Sequence, residues 1–309
     1  MRTKPELTTA IRDGRRAVLL VNAHSRRGRR LYPEVLRRVE AAGFALLGTF
    51  PVEDPNDLRN SLAAATDLGP DLLVVGGGDG TIGAAARHLA HRDVALGLLP
   101  LGTTNNFART LSIPLDLDAA VGLLTGGKVI DVDLGLAGDM PFANHVGIGL
   151  SAEIFATAPP RLKKVIGRLA YPATALALLT RHRPMRVTVR TNGRSHEYLT
   201  HQLYVANGGF HAGRPITADA DADDRLLVAY PVGDQHRVRL LRETARNAAT
   251  GHRRSHGEEP FLATDEILVE TDRPMPIEVD GEPRGYTPVR IGLAANALRV
   301  MAATDTVDR

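Results

Sequence analysis

The 309-residue sequence contains no cysteine and no tryptophan, and aromatic residues make up only 4% of it. Without cysteine, the chain has no disulfide framework, no thiolate metal site and no cysteine nucleophile. The low aromatic content argues against a base-stacking surface for nucleic acid and against the aromatic belt of a membrane protein. We therefore expect no nucleic-acid partner and no disulfide-stabilised fold.

Long uncharged apolar segments are missing as well. No such run reaches the ~18 residues that would indicate a membrane span. The nearest candidate, Val165–Leu179, is interrupted by Arg168 and Pro172. The N-terminal segment MRTKPELTTAIRDGRR contains no apolar core of a signal peptide, and the net charge of +3 is small for a nucleic-acid binder. These features predict a cytoplasmic protein that contacts membranes only at their surface.

The pattern of the sequence changes near residue 135, and a chain of this length is expected to form about two domains. Before that point, short apolar runs alternate with helical patterns, which is typical of βαβ units and a parallel sheet. After it, alternating apolar and polar residues predict mostly antiparallel strands. We therefore predict an α/β fold, with a parallel α/β nucleotide-binding domain over residues 1–135 and a β-rich domain over residues 136–309.

The predicted elements divide in the same way. The first domain has predicted strands at Ala17–Ala23, Phe44–Phe50, Asp71–Val75, Val94–Leu99 and Val129–Leu134, and predicted helices at Leu31–Ala42, Pro55–Thr66 and Asp118–Leu124. In the second domain, Met185–Thr191 and the turn Asn192-Gly193 predict a hairpin that continues through Val205. Further strands are predicted at Leu226–Val232, Ile267–Thr271, Pro276–Val279, Val289–Leu293 and Leu298–Ala302, with one helix at Gln235–Ala249.

A glycine-rich segment, Gly76–Thr81 (GGGDGT), directly follows a predicted buried strand. Its glycines let the backbone approach an anionic group, and its N–H groups form an anion-binding nest with the N-terminus of the next helix. Asp79 is suited to this setting if Mg²⁺ lies between it and a phosphate, or if it polarises an attacking hydroxyl. The alternative is a tight turn in which Asp79 caps the helix.

Two further polar segments follow neighbouring strands. Gly102-Thr103-Thr104-Asn105 comes after the fourth predicted strand, and Asn22 ends the first. Open α/β sheets bind ligands at the carboxyl edge of their strands. The three segments together therefore predict one binding site for a nucleotide. Taken alone, Thr103 or Asn105 is equally consistent with an ordinary helix N-cap.

A late acidic stretch covers Ile277–Glu282. If it is extended, Glu278, Asp280 and Glu282 lie on one face of a strand. A glutamate just beyond a glycine turn is suited to act as a general base toward a hydroxyl. The alternative is a solvent-exposed acidic turn.

Two phosphate-binding motifs are matched only in spacing. Gly122–Lys128 has the spacing of a P-loop, but Val129 occupies the position that needs Ser or Thr, and a strand follows where a helix is required. Gly147–Ala152 fits G-x-G-x-x-A, but no acidic residue occurs between Glu153 and Glu197. We reject both motifs.

The remaining motifs resemble those of bacterial diacylglycerol and lipid kinases, which are relatives of sphingosine kinases. They are Asn22-x-x-Ser25, GGGDGT, LPLGTTNNFAR at Leu99–Arg109 and DGE at Asp280–Glu282, in the order found in that family. The resemblance covers residues 17–302. NAD kinases share the GGDGT element, whereas the GTTNNFAR and DGE elements point to lipid kinases.

The resemblance implies that ATP lies in the cleft between the two domains. It implies that ATP is held by Asn22, Gly77, Gly78, Asp79, Gly80, Thr81, Gly102, Thr103, Thr104 and Asn105. Asp79 and Glu282 would be the catalytic residues: Asp79 would organise the catalytic Mg²⁺, and Glu282 would deprotonate the hydroxyl of a diacylglycerol-like lipid. A second, structural Mg²⁺ would bind at Asp221, Asp224 and Leu226. The implied partners are ATP, the lipid and a transient membrane surface, and a homodimer is compatible with the sequence.

The chain departs from the family pattern at several positions. Asn106 stands where the family usually has aspartate, and Ser151 occupies another usual aspartate position. Two other functions therefore stay open: an NAD-kinase-like phosphotransferase with a soluble acceptor, and a catalytically weak lipid- or nucleotide-binding protein. Val165–Leu179 also has two interpretations, a membrane-contacting segment with basic flanks or a buried helix.

Overall fold

The computed structural model describes residues 1–157, 183–208, 210–211, 214–215, 225–232 and 262–307. The predicted helix at Gln235–Ala249 and the apolar segment Val165–Leu179 lie outside these residues.

The N-terminal domain alternates helices and strands as predicted. Its strands are β1 (Arg16–Asn22), β2 (Ala45–Val52), β3 (Leu72–Gly77), β4 (Ala95–Pro100), β5 (Lys128–Ala137) and β6 (Met140–Phe142). Its helices are α1 (Lys4–Gly14), α2 (Arg26–Ala41), α3 (Leu58–Asp67), α4 (Asp79–Leu89), α5 (Asn106–Thr110) and α6 (Leu117–Gly126), with a 3₁₀ turn at Pro55–Asp57.

Four of these strands form a parallel sheet in the order β2-β1-β3-β4. Every residue of β3 and β4 is buried, because helices cover both faces of the sheet and both faces must be apolar. Strand β2 lies at the edge and alternates between exposed and half-buried residues. The parallel α/β domain is therefore confirmed.

At the N-terminal end of the chain, two helices differ from the prediction. Helix α1 was not predicted, although Thr3 and Glu6 form a capping box at its start. Helix α2 begins at Arg26 and not at Leu31, because the Ser25 hydroxyl accepts the Gly28 N–H at 2.9 Å and starts the helix early.

The C-terminal part is mostly antiparallel β structure, as predicted. Its described elements are β7 (His145–Gly149), α7 (Leu150–Thr157), β8 (Met185–Thr191), β9 (Arg194–Thr200), β10 (Gln202–Asn207), β11 (Phe210–His211), β12 (Arg214–Pro215), β13 (Leu227–Val232), β14 (Leu262–Thr264), β15 (Ile267–Thr271), β16 (Pro276–Val279), β17 (Glu282–Tyr286) and β18 (Val289–Ala302). One sheet has the order β14-β13-β10-β7-β16-β17. The predicted hairpin at Asn192-Gly193 is confirmed as β8 and β9.

The last strand belongs to both parts of the molecule. The two strands predicted at Val289–Leu293 and Leu298–Ala302 are one strand, β18, with a register shift between Ala294 and Leu298. Its first half pairs with β15, while Val300 in its second half pairs with Ile130 of β5 and Leu96 of β4. The C-terminus of the chain thus extends the N-terminal sheet and connects the two parts.

Three large apolar clusters stabilise this arrangement. Two cover the opposite faces of the parallel sheet, and the third lies between the antiparallel strands of the C-terminal part. Within the described residues, none of the helices has the length and hydropathy needed to cross a membrane.

Candidate active site

Two loops meet at the carboxyl edge of the parallel sheet: the glycine loop (Gly76–Thr81) after β3, and the threonine loop (Gly102–Asn105) after β4. The Gly77 carbonyl accepts the N–H groups of Leu101 at 2.9 Å and Gly102 at 3.1 Å. A Cβ atom on Gly102 would lie 2.5 Å from the Cα of Gly78. Because no side chain fits between the two backbones, glycine is required for this close approach.

The Asp79 carboxylate joins the two loops. Its Oδ2 accepts the Thr104 hydroxyl at 2.6 Å, and its Oδ1 accepts the Phe107 N–H at 3.4 Å. Asp79 is the first residue of α4, one position after the N-cap residue, which is Gly78 and has no side chain to cap the helix. The alternative in which Asp79 caps its own helix is therefore wrong, because the carboxylate faces the threonine loop.

The end of β1 meets the same edge. The Asn22 side-chain N–H donates to the Thr81 hydroxyl at 2.7 Å, and Thr81 is buried in the first turn of α4. The structure therefore brings together residues from the ends of β1, β3 and β4, as the sequence predicted.

The outer side of this junction is open. Gly80 and Thr103 are exposed, and a Cβ atom on Gly80 would meet no heavy atom within 4 Å. Buried Asn105 donates its side-chain N–H to the Gly102 carbonyl at 3.1 Å, while its Oδ1 has no hydrogen-bond donor among the described residues. The positive end of the helix dipole at the start of α4 favours an anion here.

The acidic stretch forms a hairpin, and the predicted single face of three carboxylates is wrong. Strands β16 and β17 are joined by Asp280 and Gly281, whose φ angles are +50° and +84°. Positive φ at both central residues is the geometry of a tight hairpin turn. The side chain of Glu278 is consequently buried, whereas that of Glu282 is 48% exposed. We call Pro276–Tyr286 the acidic hairpin.

Asp280 anchors the acidic hairpin to the rest of the molecule. Its carboxylate accepts the N–H groups of Ala143 at 2.9 Å, Asn144 at 2.9 Å and His145 at 3.1 Å. Burial raises the pKa of Asp280, and these N–H groups together with His145 offset the shift only in part.

Glu278 and His145 form an ion pair beneath the turn. His145 Nε2 lies 3.2 Å from Glu278 Oε1, and the Gly281 N–H donates to Glu278 Oε2 at 2.7 Å. Burial disfavours the imidazolium, but the carboxylates of Glu278, Asp280 and Asp79 outweigh it and raise the pKa of His145. Helix α4, which starts in the glycine loop, packs against the acidic hairpin, since a Cβ atom on its Gly83 would lie 2.9 Å from Asp280 Oδ2. The glycine loop and the acidic hairpin therefore lie around one cleft.

Helix α4 connects the two sides of the cleft. It begins with Asp79, and its Arg87 lies 3.4 Å from Asp280 and 3.3 Å from Glu282. Eight residues of helix separate Asp79 from Arg87, which is a rise of about 12 Å. Glu282 also pairs with the exposed Arg284 of its own strand.

The proposed structural metal site is mostly outside the described residues. Asp221 and Asp224 are not among them, and Leu226 lies exposed immediately before β13. Within the described part of the chain, no group of three or more histidine, cysteine, aspartate or glutamate side chains is arranged to hold a metal ion.

Comparisons with known proteins agree with this architecture. Residues 16–137 match the diacylglycerol kinase catalytic domain, and residues 144–302 match the YegS C-terminal NAD kinase beta sandwich-like domain. The chain belongs to the diacylglycerol kinase and YegS-like lipid kinase family. The expected family and the expected enzyme class, a lipid kinase, are thereby confirmed.

Individual relatives span most of the chain. A diacylglycerol kinase of Bacillus subtilis (strain 168) is 28% identical over 89% of this chain and 92% of its own length. A diacylglycerol kinase of Staphylococcus saprophyticus is 26% identical over 84% of this chain and 86% of its own. The crystal structure of a diacylglycerol kinase from Bacillus anthracis str. Sterne is 23% identical in sequence and matches with a TM-score of 0.74. The match covers 95% of this chain and 98% of that chain. That structural match supports the fold.

Three residues of the cleft received no functional role from the sequence: Arg87, His145 and Glu278, of which only Glu278 was noted, as part of the acidic stretch. The alternating pattern of β16 places Glu278 on the side opposite Ile277 and Val279, and an acidic residue within that strand is a weak signal. Arg87 and His145 acquire their partners only when distant segments meet, so no local pattern identifies them.

Proposed function

We propose that the protein transfers the γ-phosphoryl group of ATP to the hydroxyl of a diacylglycerol-like lipid in the cleft between the two domains. The observation that carries the proposal is that one helix, α4, contacts both sides of the cleft. Asp79 at its start joins the glycine and threonine loops, and Arg87 near its end pairs with the acidic hairpin. The division into residues 1–135 and 136–309 is part of this proposal.

ATP would bind against the glycine and threonine loops. The open space beside Gly80, the exposed hydroxyl of Thr103 and the N-terminus of α4 suit an anionic ligand. Asn22, Gly77, Gly78, Thr81, Gly102 and Asn105 would shape the same surface.

The residues present also fit a catalytic Mg²⁺. In kinase sites, Mg²⁺ is usually held by one or two carboxylates together with substrate phosphates, and Asp79 supplies one carboxylate at the open edge of the loops. When bound, Mg²⁺ neutralises charge on the phosphates. Asn106 is buried and neutral at the start of α5, so Asp79 is the acidic group of these two loops.

Glu282 would act as the general base. Its carboxylate accepts the proton of the lipid hydroxyl while that oxygen forms a bond to the γ-phosphorus. The bond from the γ-phosphorus to the β,γ-bridging oxygen breaks, and ADP leaves. Because Glu282 is half exposed, a substrate that approaches from the solvent side of the hairpin can reach it.

The remaining parts of the proposal rest on the resemblance. A structural Mg²⁺ would bind Asp221, Asp224 and the main-chain oxygen of Leu226. The protein would act in the cytoplasm and contact the membrane surface transiently, because its substrate resides there.

The proposal is tested by phosphate transfer from radiolabelled ATP with Mg²⁺ to lipids in mixed micelles. The acceptors are diacylglycerol, monoacylglycerol, phosphatidylglycerol and sphingosine, with NAD as the soluble control. Glu282→Gln is compared with Glu266→Gln, a matched control because Glu266 is an exposed glutamate that also pairs with an arginine. We expect labelled lipid with the wild type and with Glu266→Gln, and at least a 100-fold lower rate with Glu282→Gln.

Two outcomes would contradict the proposal. Label on NAD alone would identify a phosphotransferase with a soluble acceptor. ATP binding without label on any acceptor would identify a nucleotide-binding protein.

A further inference from the structure

Arg87 occupies an unusual place between two carboxylates of different exposure. Its Nη1 lies 3.4 Å from the Asp280 carboxylate, and its Nη2 lies 3.3 Å from the Glu282 carboxylate. The Asp280 side chain is only 2% exposed, while that of Glu282 is 48% exposed. One guanidinium therefore connects a buried carboxylate with one that is half exposed.

The Asp280 end of this connection is rigid. Three consecutive backbone N–H groups, from the link between β6 and β7 and the first residue of β7, hold its carboxylate in place. The Asp280 carboxylate lies against α4 at Gly83, which has no side chain. A Cβ atom on Gly83 would lie 2.9 Å from Asp280 Oδ2 and 3.7 Å from Arg87 Nη1. Glycine one turn before Arg87 thus allows the carboxylate and the guanidinium to meet against the helix.

We propose that Arg87 is a positioning residue, which holds the Glu282 carboxylate over the cleft by bridging it to buried Asp280. The inference deepens the proposed function and rests on it, because it assigns Arg87 an effect on catalysis through Glu282. Arginine is suited to this task, since its planar guanidinium presents separate N–H groups to two acceptors, whereas lysine offers a single ammonium. Because Arg87 belongs to α4, the bridge also sets the position of Glu282 relative to Asp79.

A double-mutant cycle in the lipid phosphorylation assay tests the inference. We expect Arg87→Met to lower kcat about 10- to 100-fold, the scale on which small misplacements of a reacting group act, with the KM for ATP unchanged. Arg87→Lys should recover part of the loss. The double variant Arg87→Met/Glu282→Gln should be no slower than Glu282→Gln alone, because Arg87 acts through Glu282.

Arg284→Met is the matched control. Arg284 pairs with the same carboxylate but is 43% exposed, against 17% for Arg87, and within the described residues it makes no hydrogen bond or ion pair with Asp280. We expect Arg284→Met to change kcat less than 3-fold. Equal losses for the two arginine variants, or losses that multiply in the double variant, would overturn the inference.

A second measurement separates this inference from the proposed function. Hydrogen exchange of segment 276–286, followed by mass spectrometry without substrate, reports on the hairpin itself. We expect exchange to be about 10-fold faster in Arg87→Met and unchanged in Arg284→Met. If the wild type phosphorylates no acceptor, the proposed function fails, and the exchange result still decides whether Arg87 holds the hairpin. Unchanged exchange in Arg87→Met would overturn the inference.

Discussion

The two sides of the cleft are built by different interactions. On the nucleotide side, where we propose that ATP binds, the glycine and threonine loops contact each other mainly through backbone atoms, and Asp79 is the one charged residue within the two loops. On the acceptor side, the acidic hairpin is held by buried carboxylates that face His145 and Arg87. The backbone contacts between the loops require glycines, which have no side chains, whereas the buried carboxylates of the hairpin require their positively charged partners. The nucleotide side should therefore be sensitive to added volume, and the acceptor side to lost charge.

The largest effect is expected from removing Glu278. Its loss leaves the buried His145 without its ion-pair partner and the Gly281 N–H without an acceptor. Removal of one member of a buried ion pair costs about 3–5 kcal/mol, so we expect Glu278→Ala to lower the free energy of unfolding by that amount in urea denaturation. Glu266→Ala, an exposed control, should change it by less than about 0.5 kcal/mol. Similar values for both variants would show that the acidic hairpin does not depend on buried charge.

Asp79→Asn should lower activity without unfolding the protein. The amide retains an oxygen that accepts from Thr104, so the loops stay joined, but the charge that would hold Mg²⁺ is lost. We expect kcat to fall about 10²- to 10³-fold, with the thermal midpoint nearly unchanged. Asp139→Asn, in the exposed turn between β5 and β6, is the control. Full activity of Asp79→Asn would contradict the role of Asp79.

Substitution by alanine should affect the stability of the protein differently at two glycines of the nucleotide side. The Cβ of Gly102→Ala would overlap the Gly78 backbone, and overpacking of this kind costs about 1–3 kcal/mol. Gly80→Ala meets only open space, so its stability should stay within about 0.5 kcal/mol of the wild type. We expect weaker ATP binding in both variants, measured by calorimetry, but lower stability in Gly102→Ala alone. Equal stabilities would refute the close backbone approach.

The pH dependence of the free energy of unfolding should show the titration of His145. Its pKa in the unfolded chain is about 6.5, and its neighbours raise it in the folded state. Between those two values the folded protein holds a proton that the unfolded chain has lost. The free energy of unfolding should therefore fall as pH rises above 6.5 and level off once the pH has passed the folded-state pKa of His145.

Urea denaturation between pH 6 and pH 9 measures this fall, and His145→Gln should lack it. Asp280, whose pKa is also raised, contributes a fall with the same sign in a lower window, which begins near pH 3.8. Urea denaturation extended down to about pH 3 should show that lower fall in both the wild type and His145→Gln. If the variant retains the decrease above pH 6.5, another group is responsible.

The smallest effect is expected from Asn106→Asp. The side chain is buried beside the threonine loop, where a new carboxylate gains from Mg²⁺ but loses hydration. We expect kcat in the lipid assay to change less than 10-fold, and Asn106→Ala serves as the control for lost side-chain contacts. A large increase would show that the natural asparagine makes this a catalytically weak protein.

Local patterns predicted one half of the site better than the other. The glycine and threonine loops follow apolar strands of a parallel sheet, and the strand ends of such a sheet share one edge, so their meeting follows from the order of the chain. The extended arrangement of Glu278, Asp280 and Glu282 was wrong, because the Asp280-Gly281 pair also favours a turn and that preference prevailed.

The sequence by itself determined the family, the parallel sheet and the glycines that bring Gly78 and Gly102 into contact. Each depends on residues close together in the chain or on strand order. Only the tertiary structure decided that Asp79 faces Thr104, that β18 connects the parallel strands to β15 within one sheet, and that Arg87 lies between Asp280 and Glu282. These contacts join segments up to 195 positions apart. Their geometry follows from the packing of the whole chain, because charged side chains take their partners from whatever the fold places beside them.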